Sequence, residues 1–361
     1  MPVKQTFLNN AWKNTLAAVG LLAVFALLVC FPSVASAGAS QGLLLWFQVL
    51  IPSLLPFFLL SGFLIRSGLI SSVSTVTYPL LGRFFHTTPE GATCILIGFL
   101  CGYPLGARTV ADLYERKQLS RPEATYLLCL TNNVSPGFLS GFVVNSCFRR
   151  RELLFPALLC VYGLPVVCSG ILRRKIFVAR YCDNPIRRLR TTSRPIYQRN
   201  HRLHPQPTLG NHYQKSPAQT RQLSTQSISH TGPAIQAPNL SFAVIDETIR
   251  SSLASMAMLG GYVILFRILM QFLFAAPLSV HTKTALAGIL EITSGIPMIV
   301  ANAVSFTYAF PAVMAVLAFG GLSGLAQTRS VLSQTDLSIR SYVCWKLFLA
   351  VLAWGCASLY S

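Results

Sequence analysis

Residues 92–110 read ATCILIGFLCGYPLGARTV, and this stretch decides the fold. It is apolar enough to enter a bilayer, but Gly98, Gly102 and Gly106 recur in it and Pro104 lies between the last two. Proline removes a backbone donor and glycine weakens a helix, so a plain spanning helix is not expected. Interrupted backbone at membrane depth must be satisfied by protein or by water in a cavity. The stretch therefore predicts a re-entrant hairpin or an unwound helix.

The composition outside this stretch is also that of a membrane protein. Charged residues make up 11% of the 361 residues and the mean hydropathy is +0.55, whereas soluble domains carry about 25% charged residues. We predict an all-α polytopic membrane protein with a first membrane half (1–172) and a second membrane half (241–361). The other apolar runs cover residues 16–31, 42–65 (interrupted by Pro52 and Pro56), 124–144, 152–172, 252–273, 284–301, 306–326 and 341–359.

The first apolar run follows Lys4 and Lys13 and precedes Ala35-Ser36-Ala37, which is the pattern of a cleaved signal peptide. Because more spans follow, we expect an uncleaved anchor helix instead. Short loops rich in Lys and Arg tend to stay in the cytoplasm, which places the N-terminus, residues 66–83, residues 112–123 and the long central loop inside. The run Arg149–Arg151 conflicts with this topology.

The central loop, residues 173–240, is basic and polar. Twelve Lys or Arg residues lie between Arg173 and Arg221, with Asp183 as the only acid among them. This composition is typical of disorder. We expect the loop to bind anionic lipids, with a protein partner as the alternative, and we expect no nucleic acid because no folded module displays the charge. Its histidines, which lack a helix to align them, do not predict a metal site (His201, His204 and His212).

No soluble-enzyme motif is present. The sequence has no P-loop, G-x-S-x-G, H-E-x-x-H or dinucleotide-binding fingerprint. Eight of the ten cysteines lie inside apolar runs, and none has zinc-site spacing. We therefore predict no catalytic residue, no cofactor and no metal.

Polar residues inside apolar runs mark candidate sites, since lipid disfavours them. Thr131, Asn132 and Asn133 could bind a polar ligand or a cation, or they could join helices by hydrogen bonds. Glu291, with Thr293 and Ser294 beside it, could bind a cation or relay a proton; the alternative is an ion pair with an arginine such as Arg267. The glycines of the opening stretch could expose N–H donors to an anion, with helix packing as the alternative.

The two halves share a weak internal symmetry. Residues 102–110 (GYPLGARTV) precede a charged turn and Ser120, where Glu123 completes a capping box for the next helix. Residues 321–330 (GLSGLAQTRS) precede a polar turn and Ser338. Paired interrupted segments point to a transporter-like site, although two glycine-rich stretches can also match by chance.

Further motifs follow one another along both halves: GLLLW (42–46), IPSLLPF (51–57), GYPLGA (102–107), TNN (131–133) with Pro136, Gly260-Gly261, LEITSG (290–295) and GGLS (320–323) through Gln327. In this order they resemble the YlbJ-type sporulation integral membrane protein family. That family belongs to the nucleoside-recognition or gate domain group, which is similar to concentrative nucleoside transporters. The basic loop departs from the family.

The resemblance implies two re-entrant hairpins and two partly unwound helices that meet near the middle of the membrane, as in inverted-repeat transporters. Residues 102–106 and 291–295 would be the hairpin tips, and residues 131–133 and 323–327 the unwound helices. The implied activity is movement of a small organic solute, with dipicolinate as the candidate in spore formers.

We therefore predict a secondary transporter of a small polar or anionic organic solute in the cell or forespore membrane of a bacterium. A cation or proton is the candidate coupling ion, and a homo-oligomer is a candidate assembly. The alternative is a non-transporting scaffold of the sporulation machinery that recruits partners through the loop. The predicted substrate-binding residues are Gly102, Tyr103, Gly106, Thr131, Asn132, Asn133, Glu291, Thr293, Ser294, Ser323 and Gln327.

Overall fold

The computed structural model describes residue 15 and residues 18–181 and 241–361. The predictions for Lys4, for Lys13 and for most of the basic loop, including its histidines and its lipid partners, lie outside these residues. The described residues form helices and no strand. The first membrane half contains α1 (Ala18–Cys30), α2 (Pro32–Arg66), α3 (Ile70–Thr77), α4 (Pro89–Cys101), α5 (Leu105–Glu115), α6 (Arg121–Thr131), α7 (Phe138–Phe148) and α8 (Arg151–Arg174). The second half contains α9 (Phe242–Ala275), α10 (Val280–Leu290), α11 (Ile292–Asn302), α12 (Phe306–Phe319), α13 (Gly321–Val331) and α14 (Ile339–Ser358).

Among the described residues, five stretches are long and apolar enough to cross a membrane: α2, α8, α9, α12 together with α13, and α14. A bilayer core of about 30 Å needs about 20 helical residues. Large apolar side chains on these helices face outward, such as Leu60, Phe155 and Val351, and lipid would cover them. The predicted all-α membrane fold is confirmed at this level.

The longest helices, α2 and α9, pack closely against each other. Gly38 and Gly42 of α2 lie against the α9 backbone, where a Cβ on Gly42 would be 2.7 Å from the Cα of Ile264. Trp46 Nε1 donates to the carbonyl of Met256 at 2.8 Å. Small residues allow this approach, because within lipid the contact depends on packing more than on hydrophobic burial.

Two predicted boundaries along these helices are wrong. The run 42–65 is not interrupted, since α2 continues through Pro52 and Pro56. A wide turn at Trp46–Leu50, in which Ile51 N–H bonds the carbonyl of Trp46, relieves the clash of the first proline ring. The run 252–273 also belongs to a longer helix than expected, because α9 begins at Phe242.

Two further expectations about the first half differ from the structure. The run 124–144 is not one helix, because α6 ends at Thr131 and helical structure resumes only at Pro136, directly before α7. Ser120 caps α6 as predicted, with its Oγ accepting from Glu123 N–H at 3.4 Å, but the Glu123 carboxylate accepts from Thr87 and Thr88 instead of completing the capping box. The helical backbone that includes α8 continues to Tyr181, past the expected start of the loop at residue 173.

Helical structure is interrupted at four places that matter for the site. The first interruption, Gly102–Pro104, separates α4 from α5, and the second, residues 132–135, lies between α6 and the helical turn that leads into α7. The third is Glu291, between α10 and α11, and the fourth is Gly320, between α12 and α13. Gly102 and Gly320 have φ values of +74° and +88°, which side chains other than glycine rarely adopt.

Both pairs of short helices, α4 with α5 and α10 with α11, cross at glycine. A Cβ on Gly106 would lie 3.3 Å from the Cα of Gly98. A Cβ on Gly295 would overlap the Cα and N of Gly288. The same packing solution therefore occurs once in each half.

We predict that Gly295→Ala lowers the free energy of unfolding by about 1–3 kcal/mol, because overpacking displaces the backbone of α10. The matched control is Gly355→Ala in α14, where a Cβ meets nothing within 4 Å. The control should be neutral or slightly stabilising, because alanine favours a helix more than glycine does. Thermal unfolding of the purified protein in detergent measures both. Equal midpoints for the two variants would contradict the crossing.

Candidate functional site

A cavity of about 650 Å³ lies where the four interruptions meet, and we call it the central cavity. Tyr103 and Pro104 from the first interruption and Ser135 from the second line it. Glu291 from the third interruption and Gly320 from the fourth complete this set. The remaining walls are mainly apolar side chains of α2, α7 and α9 (Leu45, Val49, Leu54, Phe57, Phe138, Leu259 and Val263). The pocket is therefore polar where the helices break and apolar elsewhere.

Asn132 joins the first two interruptions to the second half. Its Oδ1 accepts from Ala107 N–H at 3.2 Å, which caps the start of α5. Its Nδ2 donates to Thr328 Oγ1 at 2.9 Å and to the Tyr342 hydroxyl at 2.7 Å. The side chain is fully buried, so its donors and its acceptor are used inside the protein.

Asn133 continues this network toward the cavity. Its backbone carbonyl accepts from Tyr103 N–H at 2.6 Å, which holds the cavity-lining first interruption against the second. Its Nδ2 donates to the carbonyl of Leu130 at 2.8 Å. Its Oδ1 accepts from Lys346 Nζ at 2.9 Å.

Lys346, in the last span α14, is a buried residue that sequence reasoning missed. It is 1% exposed and lies 5.6 Å from the centroid of the Tyr342 ring. No carboxylate of the described residues lies within salt-bridge distance of its Nζ. The signal was in the sequence, since a charged residue inside an apolar span calls for a specific partner.

Glu291 organises the third interruption. Its carboxylate accepts from the N–H groups of Thr293 and Ser294, both at 2.9 Å, and from Thr293 Oγ1 at 2.7 Å. The carboxylate therefore caps α11, where the positive end of the helix dipole favours a negative charge. The polar residues at this break satisfy its backbone locally.

Arg267 reaches the same place from α9. Its Nη2 lies 4.0 Å from Glu291 Oε2 and donates to Thr293 Oγ1 at 2.8 Å. Its Nη1 donates to Ser294 Oγ. The ion pair considered as the alternative for Glu291 is thus present, and both members line the central cavity.

The fourth interruption, Gly320, precedes α13. The expectation that residues 323–327 are unwound is wrong, because they lie inside the helix α13. Ser323 and Gln327 lie one turn apart, and Gln327 Nε2 donates to Ser323 Oγ at 3.1 Å. A Cβ on Gly324 would lie 3.3 Å from the ring of Tyr103. Tyr103 therefore connects the first interruption to a helix of the second half.

Five of the predicted substrate-binding residues line the central cavity: Tyr103, Glu291, Thr293, Ser323 and Gln327. The other six do not line the cavity, and instead pack or form hydrogen bonds at or next to the breaks: Gly102, Gly106, Thr131, Asn132, Asn133 and Ser294. The backbone donors of Tyr103, Gly106 and Ala107 all have acceptors within the protein. Among the described residues, no group of three or more His, Cys, Asp or Glu is placed to hold a metal ion.

Residues 47–172, which contain the first two interruptions, match the family model of the Gate domain, described as nucleoside recognition. The chain is 28% identical to the sporulation integral membrane protein YlbJ of Bacillus subtilis (strain 168), over 96% of this chain and 82% of that protein. The chain is thus related to YlbJ over almost its whole length, and its first half carries the Gate match. Together with its long apolar helices, this relation makes it a multi-pass integral membrane protein. The resemblance seen in the motif order is confirmed. No solved structure matches the chain.

A double-mutant cycle tests the contact between Lys346 and Asn133. We predict that Asn133→Ala lowers the free energy of unfolding by about 1–3 kcal/mol, because Lys346 is left without its acceptor. Lys346→Met should be close to neutral, since an apolar chain of similar length replaces a buried charge. In the Lys346→Met background the effect of Asn133→Ala should shrink by about 1 kcal/mol or more.

The matched control is Lys283→Met, which removes a partly buried lysine bonded to the carbonyl of Phe274. It should leave the effect of Asn133→Ala unchanged. Denaturant titration in detergent measures all five variants. Additive effects of Asn133→Ala and Lys346→Met would mean that the contact contributes nothing to stability.

Proposed function

We propose that this Gate-domain protein is a secondary transporter of a small polar or anionic organic solute, and that the solute binds in the central cavity. The convergence of four helix interruptions, two from each half, on one cavity supports this proposal. The volume of about 650 Å³ lies within the range of about 300–1,000 Å³ that is usual for small-molecule sites. A purely structural contact between helices would not require a cavity lined by all four breaks.

The proposed architecture has two re-entrant hairpins, formed by α4 with α5 and by α10 with α11. These helices have 11 to 13 residues and are therefore about 17–20 Å long, which is too short for a hydrocarbon core of about 30 Å. Each pair crosses at glycine and turns at a break that lines the central cavity. This is the arrangement that an inverted repeat of the two halves, residues 1–172 and 241–361, would produce.

The chemistry of the cavity fits a solute with a flat apolar body and a carboxylate or another polar group. Arg267, Glu291 and Thr293 form the polar end, and the apolar walls of α2, α7 and α9 form the rest. An arginine presents paired donors that match a carboxylate. An aromatic carboxylate such as dipicolinate is thus a candidate solute.

Coupling to a cation or a proton is proposed to act at Glu291. Its carboxylate holds Arg267 and caps α11 at the same time. Protonation, or a cation bound at the carboxylate, would weaken the pair and leave the charge of Arg267 to be balanced by the anionic solute. A solute carboxylate bound at Arg267 would then prevent an unpaired buried charge.

Anionic lipids at the basic loop and a homo-oligomer remain predictions that this site does not address. The scaffold alternative depends on the same loop. Transport, in contrast, depends on the described membrane halves and can be tested there.

We predict that Glu291→Gln lowers proteoliposome uptake of the transported solute about tenfold or more, because the amide keeps the size of the side chain but loses its charge. A tenfold loss corresponds to about 1.4 kcal/mol. Uptake is measured with a panel of labelled small organic acids that includes dipicolinate, and is normalised to folded protein.

The matched control is Glu123→Gln. Glu123 is also a buried carboxylate, bonded to Thr87 Oγ1 at 2.6 Å and to Thr88 N–H at 2.7 Å, but it lies outside the central cavity. Folded Glu123→Gln should transport as the parent protein does. Equal uptake by the parent, the control and Glu291→Gln would remove Glu291 from the site. No uptake of any panel member by the parent would favour the scaffold.

A further inference from the structure

A second cavity of about 410 Å³ adjoins the central one, and we call it the Arg108 cavity. It runs along single faces of α5, α9 and α13, and on α5 it extends from the N-cap Pro104 to Glu115. The distance from Pro104 to Glu115 along α5 is about 16 Å. The cavity is therefore elongated along the helix axes.

The Arg108 cavity lies toward one face of the protein. Its lining includes Arg66, the last residue of α2, Glu115, the last residue of α5, and Gln334, which follows α13. The central cavity instead contacts the middle of α2 and the later part of α9. The two cavities thus lie one after the other between that face, which bears the α5–α6 turn, and the helix interruptions.

Three residues line both cavities and form the partition between them: Pro104, Leu259 and Gln327. Pro104 belongs to the first interruption, and Gln327 lies nearly two turns into α13. Leu259 of α9 supplies an apolar side chain that is 5% exposed. The partition thus consists of one proline ring, one leucine and one amide, and Pro104 belongs to a helix break.

The lining of the Arg108 cavity contains two arginines and two carboxylates, and Arg108 lies at its inner end. The Arg108 side chain is 7% exposed, and its Nε lies 3.6 Å from Asp112. Its Nη2 donates to Ser251 Oγ at 3.0 Å, its guanidinium lies 5.0 Å from the centroid of the Phe58 ring, and Nη1 has no hydrogen-bond partner among the described residues. Arg66 lines the same cavity and its charge acts on Arg108.

Two guanidinium groups near one another repel, and one carboxylate, Asp112, bonds only one of them. Glu115 lies nearly a turn farther along α5, at the outer end of the cavity. A negatively charged group between Arg66 and Arg108 would relieve the repulsion and accept from guanidinium donors. A carboxylate matches the fork of arginine donors.

We propose that the Arg108 cavity is a second solute site, in which Arg66 and Arg108 hold a carboxylate of the solute before it passes the partition of Pro104, Leu259 and Gln327 into the central cavity. The passage rests on the proposed transport function; the site itself does not. The site also restricts the solute to small organic acids.

The first test is independent of transport. Ser255→Cys places a thiol in the Arg108 cavity alone, while native Cys101 lines only the central cavity. A membrane-impermeant thiol reagent is applied from the face that bears the α5–α6 turn, and labelling is quantified for each cysteine by peptide mass spectrometry. We expect the S255C thiol to react and Cys101 to be protected.

Leu259→Ala should open the partition and raise labelling of Cys101 from that face at least severalfold. The control is Leu265→Ala, an outward-facing leucine of the same helix, which should leave Cys101 protected. Labelling of Cys101 in the parent protein, or no increase in Leu259→Ala, would overturn the partition.

The second test concerns the bound group. Saturating dipicolinate should slow labelling of the S255C thiol about tenfold, and Arg108→Gln should abolish this protection. Arg116→Gln, which changes an exposed arginine near the same face, should retain it. Arg66→Gln provides a second variant if Arg108→Gln does not fold. Inorganic phosphate should protect far less than dipicolinate.

Equal protection by phosphate would overturn the assignment to an organic carboxylate, and no protection by either anion would overturn the site. Protection without proteoliposome uptake would leave the site standing and refute transport. Uptake without protection would support transport and refute the second site.

Discussion

The structure depends on one constraint: where a helix stops at membrane depth, its freed backbone groups must find partners inside the protein. At the start of α5 the partner is the amide of Asn132, which comes from the end of α6. At the start of α11 it is the carboxylate of Glu291, which belongs to the break itself. Because these partners are polar and buried, each needs partners of its own, and those come from the other half or from a long helix. Thr328 and Tyr342 bind Asn132, and Arg267 binds Thr293 and lies beside Glu291. The requirement to satisfy four short breaks thus connects the first half to the second and produces the polar side of the central cavity.

The two halves satisfy the backbone at their helix breaks with different chemical groups. The first break is held by the amide of Asn132 and the backbone carbonyl of Asn133, whose side chain accepts from Lys346. The third break is held by the carboxylate of Glu291, which caps α11 and lies 4.0 Å from Arg267 Nη2. Under the proposed transport function, a solute carboxylate would compete with Glu291 for Arg267, whereas Asn132 is fully buried and does not line the central cavity. The proposed transporter would therefore sense its solute at the second-half break.

The positions of the helix breaks could be predicted from the sequence, whereas the distant contacts that hold the breaks could not. The breaks at Gly102, Pro104 and Glu291 could be predicted from the sequence, because glycine, proline and a charged residue each disfavour a regular helix at their own position. Pro52 and Pro56 predicted a break that does not form, because a wide turn at Trp46–Leu50 accommodates the first proline within α2. Asn132 and Asn133 were recognised as important, but their partners lie about 200 residues away and no local pattern pairs them with Thr328, Tyr342 or Lys346. Arg108 follows the first break in the sequence, and only the packing of α2, α5, α9 and α13 shows that it lines a separate cavity.

Lys346 shows what a buried charge without a countercharge implies. An ion pair such as Arg267 with Glu291 compensates its own desolvation in part, but a lysine bonded to one amide and beside one aromatic ring does not. Methionine would fill the same space in α14 with less penalty, so stability alone does not account for lysine at this position. The lysine reaches Asn133, and the carbonyl of Asn133 holds the N–H of Tyr103, whose ring contacts α13 at the wall of the central cavity. Any change in the charge of Lys346 would act on Asn133 first and on Tyr103 next. The last span is thereby connected to the wall of the central cavity through two hydrogen bonds, from Lys346 to Asn133 and from Tyr103 to Asn133.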